Sequence, residues 1–212
     1  MIKKTTYLMM MFSLMIIFTV DAYAQIGLGA DLVSRYVWRG TDFGNSVSIQ
    51  PALSYTIGGL EIGAWASYAL ADSGSNENDL YLTYSIGDLG ITLTDYYYPE
   101  KMDAFNYSDE DGIHMLEASV SYSMGSFSML AGYFFSGDPD NSMYLEAGYE
   151  IYAKDDTGAS LIVGAGDGTY VENDDKLNVV HIGISASSGS LSVSYIVNPQ
   201  AETNYLVFGY SF

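Results

Sequence analysis

Residues 25–39 read Gln-Ile-Gly-Leu-Gly-Ala-Asp-Leu-Val-Ser-Arg-Tyr-Val-Trp-Arg. Ile26, Leu28, Ala30, Leu32, Tyr36 and Trp38 fall on one side of an extended chain, and Gly27, Gly29, Asp31, Arg35 and Arg39 on the other. A period of two is the signature of a β-strand with one apolar face. The rhythm returns at 47–56, 60–70, 79–86, 89–98, 113–123 and 127–136, then at 142–152, 159–166, 177–187, 191–198 and 205–212. Gly, Ser, Asn and Asp bound these runs, and no useful helical stripe follows residue 25. Twelve strands are expected, with Tyr36 and Trp38 as the outer end of the first.

The two faces decide between a sandwich and a barrel. The apolar rows carry Leu, Ile, Val and aromatic residues, with Asp95 and His114 as polar exceptions near strand ends. The opposite face carries Asp31, Glu61, Glu117, Glu146, Glu150, Arg35 and Arg39 among Ser, Thr and many Gly, including Gly63, Gly132, Gly148, Gly164 and Gly183. Gly weakens an exposed strand but suits a crowded concave wall. Connections also alternate: 57–59, 87–88, 124–126, 153–158 and 188–190 are short, and those between them are mostly longer. Outer-membrane barrels alternate short periplasmic turns with longer external loops in this way. The fold class expected is all-β, a transmembrane antiparallel up-and-down barrel of about 12 strands. Tyr36, Tyr68, Tyr97, Tyr133, Tyr149 and Tyr152 lie toward strand ends, as aromatic girdles do. Pro51 falls mid-strand, where a closed barrel offers no free edge, so a bulge is expected there or the strand is misframed.

Composition agrees with an envelope location. The 212 residues are 49 % hydrophobic and 16 % charged, with 26 acids against 7 bases and a net charge of −19. The apolar and aromatic content excludes disorder. The shortage of Lys and Arg argues against a nucleic-acid partner. With no Cys there are no disulfides, thiolate metal sites, Cys nucleophiles or lipoprotein anchor. Lys3 and Lys4, an apolar run from Tyr7 to Val20, and Ala22-Tyr23-Ala24 spell a secretory signal peptide. Residues 1–24 are therefore expected to be removed, leaving a barrel domain over 25–212 with a net charge of −20 after loss of Lys3, Lys4 and Asp21. The chain ends on Phe212, preceded in alternation by Tyr210 and Phe208. That ending resembles the signal read by the outer-membrane assembly machinery, which is thus an expected partner.

Ser34-Arg35-Tyr36-Val37-Trp38-Arg39-Gly40 is the most distinctive run, followed by Gln50-Pro51 and Gly63-Ala64-Trp65-Ala66. These residues resemble the opening strands of the TorF family of porins, envelope proteins of unknown function. Asn198-Pro199-Gln200-Ala201-Glu202 and the closing Phe208-Gly209-Tyr210-Ser211-Phe212 are similar to related chains. The resemblance implies an outer-membrane barrel in a porin role and supplies no substrate. Arg35 stands where one version of the family pattern has Asp.

Candidate site residues follow from the polar face. Asp31, Arg35 and Arg39, at intervals of four, stand about 13 Å apart per step on one strand and cannot pair with each other. Two uses are open. Arg35 and Arg39, with Asp31, Glu61, Glu117, Glu146 and Glu150, could line a pore and sort small solutes by charge. Alternatively the arginines neutralise lumen acids such as Glu117, Glu146 and Glu150 and plug the interior, leaving a structural or adhesive barrel. The densest acidic runs, Asp109-Glu110-Asp111 and Glu172-Asn173-Asp174-Asp175, fall in long connections. They read either as solvated loops or as groups holding divalent cations against lipopolysaccharide. Neither a calcium loop nor a cofactor motif is present, so no cofactor or metal is expected. His181 and Ser185 share a strand face, but at i and i+4 they are too far apart for a lipase-like nucleophile and base. No enzyme is expected. The expected partners are outer-membrane lipid, lipopolysaccharide and small solutes.

Overall fold

The computed structural model describes residues 24–99, 105–107, 113–171 and 176–212. The expected leader up to residue 23 and both acidic runs lie outside the described residues. The chain begins with β1 (Gln25–Val33), β2 (Val37–Trp38), β3 (Thr41–Asp42), β4 (Ser48–Ile57) and β5 (Leu60–Ala69). It continues through β6 (Glu77–Ile86), β7 (Leu89–Tyr97), β8 (His114–Met124), β9 (Phe127–Ser136) and β10 (Met143–Lys154). β11 (Thr157–Gly166), β12 (Asn178–Ser188), β13 (Leu191–Asn198) and β14 (Thr203–Ser211) complete it. All but β2 and β3 join one closed antiparallel barrel of twelve strands, each next to its neighbours in sequence, with β1 sealed against β14. The seam pairs Asp31 with Ser211, Leu32 with Tyr210 and Val33 with Gly209, and Ser34 and Phe208 extend it by two hydrogen bonds.

The outward rows are the apolar rows of the sequence. Leu28 is 84 % exposed and Met129 60 %, and such residues recur on every strand around the wall. A soluble monomer rarely exposes contiguous apolar patches beyond a few hundred Å². A lipid bilayer covers such a band, and a closed barrel leaves no backbone edge in it. At the short-turn end the band is rimmed by Tyr55, Tyr84, Tyr122, Tyr149, Tyr152 and Tyr210. Tyr68 and Tyr133 rim the other end, and Tyr97 stacks on His114 there. The outward polar exceptions also find each other: His114 Nδ1 lies 2.7 Å from Asp95 Oδ1, and Tyr107 donates to Asp95 Oδ2 at 2.8 Å. In SDS gels the refolded barrel is expected to run faster unheated than boiled. An unshifted band would contradict a closed wall of this kind.

Four details differ from expectation. The first strand stops at Val33, not residue 39, and Tyr36 turns inward instead of joining a girdle. Ser34 marks the stop, since a hydroxyl takes the place of the next lipid-facing residue. Pro51 makes no bulge. Pairing of β4 with β5 passes from Ile49–Tyr68 to Ala52–Trp65 in unchanged register, and only the pairs opposite Gln50 and Pro51 are missing. A proline lacks the N–H that such a pair needs, and the ladder closes around the gap. Strict alternation through 177–187, with Ile182 and Ile184 outward, puts Val180 on the lipid face, but it is fully buried, because a register shift in β12 breaks the alternation and leaves Val179 outside.

Inward glycines make room for large neighbours. A Cβ on Gly63 would strike the Tyr81 ring, on Gly164 the Tyr144 ring, on Gly166 the Tyr170 ring, and on Gly132 the Glu117 carboxylate. The concave wall alternates bare backbone with bulky side chains, as close packing of a filled interior requires.

Candidate functional site

Between Val33 and Ser48 the chain leaves the wall and enters the lumen. These two residues are cross-strand partners, so the intervening segment is an insertion at the long-loop end of an otherwise continuous β1–β4 pair. Within it β2 and β3 form a two-stranded hairpin, with Val37 opposite Asp42 and Trp38 opposite Thr41. Arg39 and Gly40 are its turn, with φ of 51° and 82°. Two successive positive φ values define a type I′ turn, whose twist suits a tight hairpin. Gly takes this conformation freely, whereas Arg39 holds it at a cost of about 1–2 kcal/mol. Strain of this kind persists where surrounding contacts over-determine it.

Such contacts surround Arg39. The Arg39 guanidinium forms a two-pronged ion pair with Glu117 on β8, one arm at 3.0 Å, and also donates to the Tyr170 hydroxyl. The two charged side chains are only 8 % and 2 % exposed. Arg39 also lies over the rings of Trp38 and Tyr144, at 4.3 and 4.5 Å from their centroids. Burial alone opposes the guanidinium charge, but the hydrogen bonds with Glu117 and the nearby Tyr170 more than offset this, and the pKa of Arg39 is raised. Burial likewise raises the pKa of the Tyr170 hydroxyl, so it stays neutral and can bond as a phenol. Gly40 seats against the opposite wall: its carbonyl accepts from Asn198 Nδ2 at 3.2 Å, and a Cβ there would overlap the carbonyl of Val180. The hairpin thus reaches across the lumen from β1 and β4 to β8, β12 and β13. Tyr96, Phe134, Tyr144, Tyr170 and Val180 form the buried cluster it meets, with Trp38 packed on it.

The other predicted site residues are dispersed. Arg35 is on the hairpin, not on a strand, and bonds Asp42 at 2.8 Å and Asn45 rather than a wall acid. Asp31 keeps its inward place on β1. Glu61 accepts from Thr56 and Tyr81, each at 3.0 Å. Glu146 accepts from Tyr144 at 2.8 Å and lies 3.8 Å from His181. Glu150 is exposed near the short-turn end, beside a cavity of about 400 Å³ lined by Ser160, Ser185, Ser187, Ser192 and Ser194. His181 and Ser185 stay apart; Ser185 bonds Ser160 at 2.8 Å. The lumen therefore has two halves: a filled one at the long-loop end, and a hydroxyl-lined vestibule at the short-turn end. Sequence reasoning misses Glu77 and Asp79, both buried on the inward face of β6: the strand predicted over 79–86 leaves out Glu77, and Asp79 at its start is one acid among many on the polar face.

A closed twelve-stranded antiparallel barrel with an apolar outer wall and an internal hairpin is the architecture of a transmembrane β-barrel. The chain belongs to the family described as bacterial protein of unknown function (Gcw_chp), whose model matches residues 20–209. No curated protein matches it. Among solved structures, one from a study of the in-meso crystallization of membrane proteins aligns at 13 % identity and a TM-score of 0.52, over 90 % of this chain and 83 % of that one. A mutant of the Rh. blastica porin aligns at 15 % identity and a TM-score of 0.44. That alignment covers 78 % of this chain and 55 % of the porin, so the chain spans about half the length of that porin. Salmonella typhi OmpF in complex with daunomycin aligns at 10 % identity and a TM-score of 0.40, over 88 % of this chain and 97 % of OmpF.

Proposed function

We propose that this protein is an outer-membrane, porin-type channel for small solutes, closed by the β2–β3 hairpin and opened when that hairpin is released. The observation that carries this reading is the Arg39–Glu117 pair, which anchors an insertion to the far wall without being part of the wall. The ion pair, the hydrogen bonds with Tyr170 and Asn198, and the ring contacts can be undone without breaking a barrel ladder. The signal-like N-terminus, the alternating loop lengths and the terminal Phe212 support export and delivery by the assembly machinery. The resemblance to the TorF family of porins names the same role. Lipid and lipopolysaccharide would cover the apolar band. His181 and Ser185 on β12 do not meet as a nucleophile and its base would, and Ser185 bonds Ser160 instead. Asp31, Glu61, Glu146 and Glu150 outnumber the cations facing the lumen, which favours cations in transit.

The direct test replaces residues 34–47 by Asn-Gly, the shortest turn that can join β1 to β4 in their existing register. In planar bilayers the wild type is expected to conduct in brief openings, the shortened barrel steadily, and its reversal potential in a KCl gradient is expected to indicate cation preference. The aromatic layer across the lumen favours a second reading, a permanently plugged structural or adhesive barrel. A shortened barrel that folds yet conducts no better than a silent wild type would establish that reading instead.

A further inference from the structure

Below the hairpin lies a cavity of about 220 Å³ walled by Tyr36, Trp38, Trp65 and Tyr96, with Asp79 at its side. Asp79 is 7 % exposed and its neighbour Glu77, two residues back on the same face of β6, 1 %. Among the described residues Asp79 Oδ1 and Glu77 Oε2 are buried and accept no hydrogen bond, although the two carboxyls adjoin each other and Glu77 adjoins the Tyr36 hydroxyl. The ion pairs of the described residues use Asp42, Asp95, Glu117 and Glu146, and none reaches Glu77 or Asp79. A buried carboxylate oxygen without a donor is costly, so two together, beside open space, call for a positive partner.

The walls narrow the kind of partner. Calcium-like ions take six to eight oxygen ligands, and magnesium demands an octahedron of them. Here the rings of Tyr36, Trp38, Trp65 and Tyr96 make up half of the lining, with Asp79 as its one carboxylate and Tyr81, Thr92 and Thr94 as its other polar groups. Trp65 and Tyr36 have centroids 5.5 Å apart, and Trp38 and Tyr96 5.4 Å. Faces of Trp and Tyr attract organic cations, most strongly when these are desolvated. We propose that this cavity binds a small organic ammonium ion, its charge against Asp79 and its carbon groups among the rings of Tyr36, Trp38, Trp65 and Tyr96. This names a solute class for the channel proposed above and rests on that reading only for transport; binding stands or falls separately. Since Tyr36 and Trp38 belong to the segment that closes the lumen, an occupant would touch the closing hairpin itself.

The chain has two tryptophans, and both line the cavity, so intrinsic fluorescence reports on it directly. The full-length barrel, refolded in detergent, is titrated with choline, with butylamine, and with 3,3-dimethyl-1-butanol, the neutral isostere of choline. Saturable changes are expected with the two ammonium ions and not with the alcohol, and Asp79→Asn is expected to weaken choline binding at least tenfold. No saturable response to either cation, an equal response to the alcohol, or undiminished binding by Asp79→Asn would overturn the proposal. The first of these outcomes would mean that the carboxyls simply hold protons. Should Asp79→Asn fail to show heat-modifiable folding, the comparison of choline with its isostere on the wild type decides alone. Conductance of the shortened barrel is measured independently, so a failed channel and a failed binding site give different results.

Discussion

Replacing Arg39 with Ala is expected to destabilise the closed state by about 3–5 kcal/mol, the usual cost of removing one partner from a buried ion pair. Glu117, 2 % exposed in its side chain, would lose both guanidinium bonds and be left without its cation beside Tyr96, Phe134 and Tyr170. The chain has one cheap way to respond, which is to withdraw the hairpin and let water reach Glu117. The expected observations are therefore a red-shifted tryptophan emission and lengthened channel openings, with a smaller loss in the urea midpoint of the barrel itself. The double variant Arg39→Met, Glu117→Leu removes both charges and is expected to recover most of the closed state, because an apolar pair of similar volume often equals a buried salt bridge. If Arg39→Ala leaves emission and openings as in the wild type, the latch has no part in closure.

The Gly40→Ala variant is expected to unseat the same hairpin by shape alone. Its φ of 82° costs an L-residue about 1–2 kcal/mol, and its Cβ would overlap the Val180 carbonyl on the far wall. Val180 is fully buried where the register of β12 shifts, so its carbonyl has little free space to retreat into. Gly87→Ala is the control. Gly87 has a φ of 59° in the turn between β6 and β7, and a Cβ there would meet nothing. Both variants carry the backbone strain, and only Gly40→Ala loses the docking. Longer openings and a red shift are expected for Gly40→Ala, and a slightly lowered urea midpoint with wild-type conductance for Gly87→Ala. Identical behaviour of the two would remove docking of the hairpin tip as a determinant of closure.

The barrel was largely legible because its physics is local. A lipid-facing wall imposes alternation at every second residue, and runs such as Leu60, Ile62, Ala64, Ala66 and Tyr68 satisfy it without reference to distant parts of the chain. The site was legible only in part. Pairing of Arg39 with a lumen acid such as Glu117 is one of the two uses the sequence leaves open, and only the place of Arg39 differs: alternation carries Tyr36, Trp38 and Arg39 onward as wall. The break was one residue, Ser34, on the apolar face. Asp79 and Glu77 escaped notice because an acid on a polar face looks ordinary until the donors around it are counted.

By itself, the sequence determined the strand number, the two faces and the alternation of short and long connections, since these follow from the bilayer's demand for apolar surface and paired backbone. The tertiary structure alone decided what fills the lumen. Whether the stretch after Val33 extends the wall or crosses the interior depends on Glu117, Tyr170, Val180 and Asn198, which come from four distant parts of the chain. Only closure of the barrel brings them to face one another.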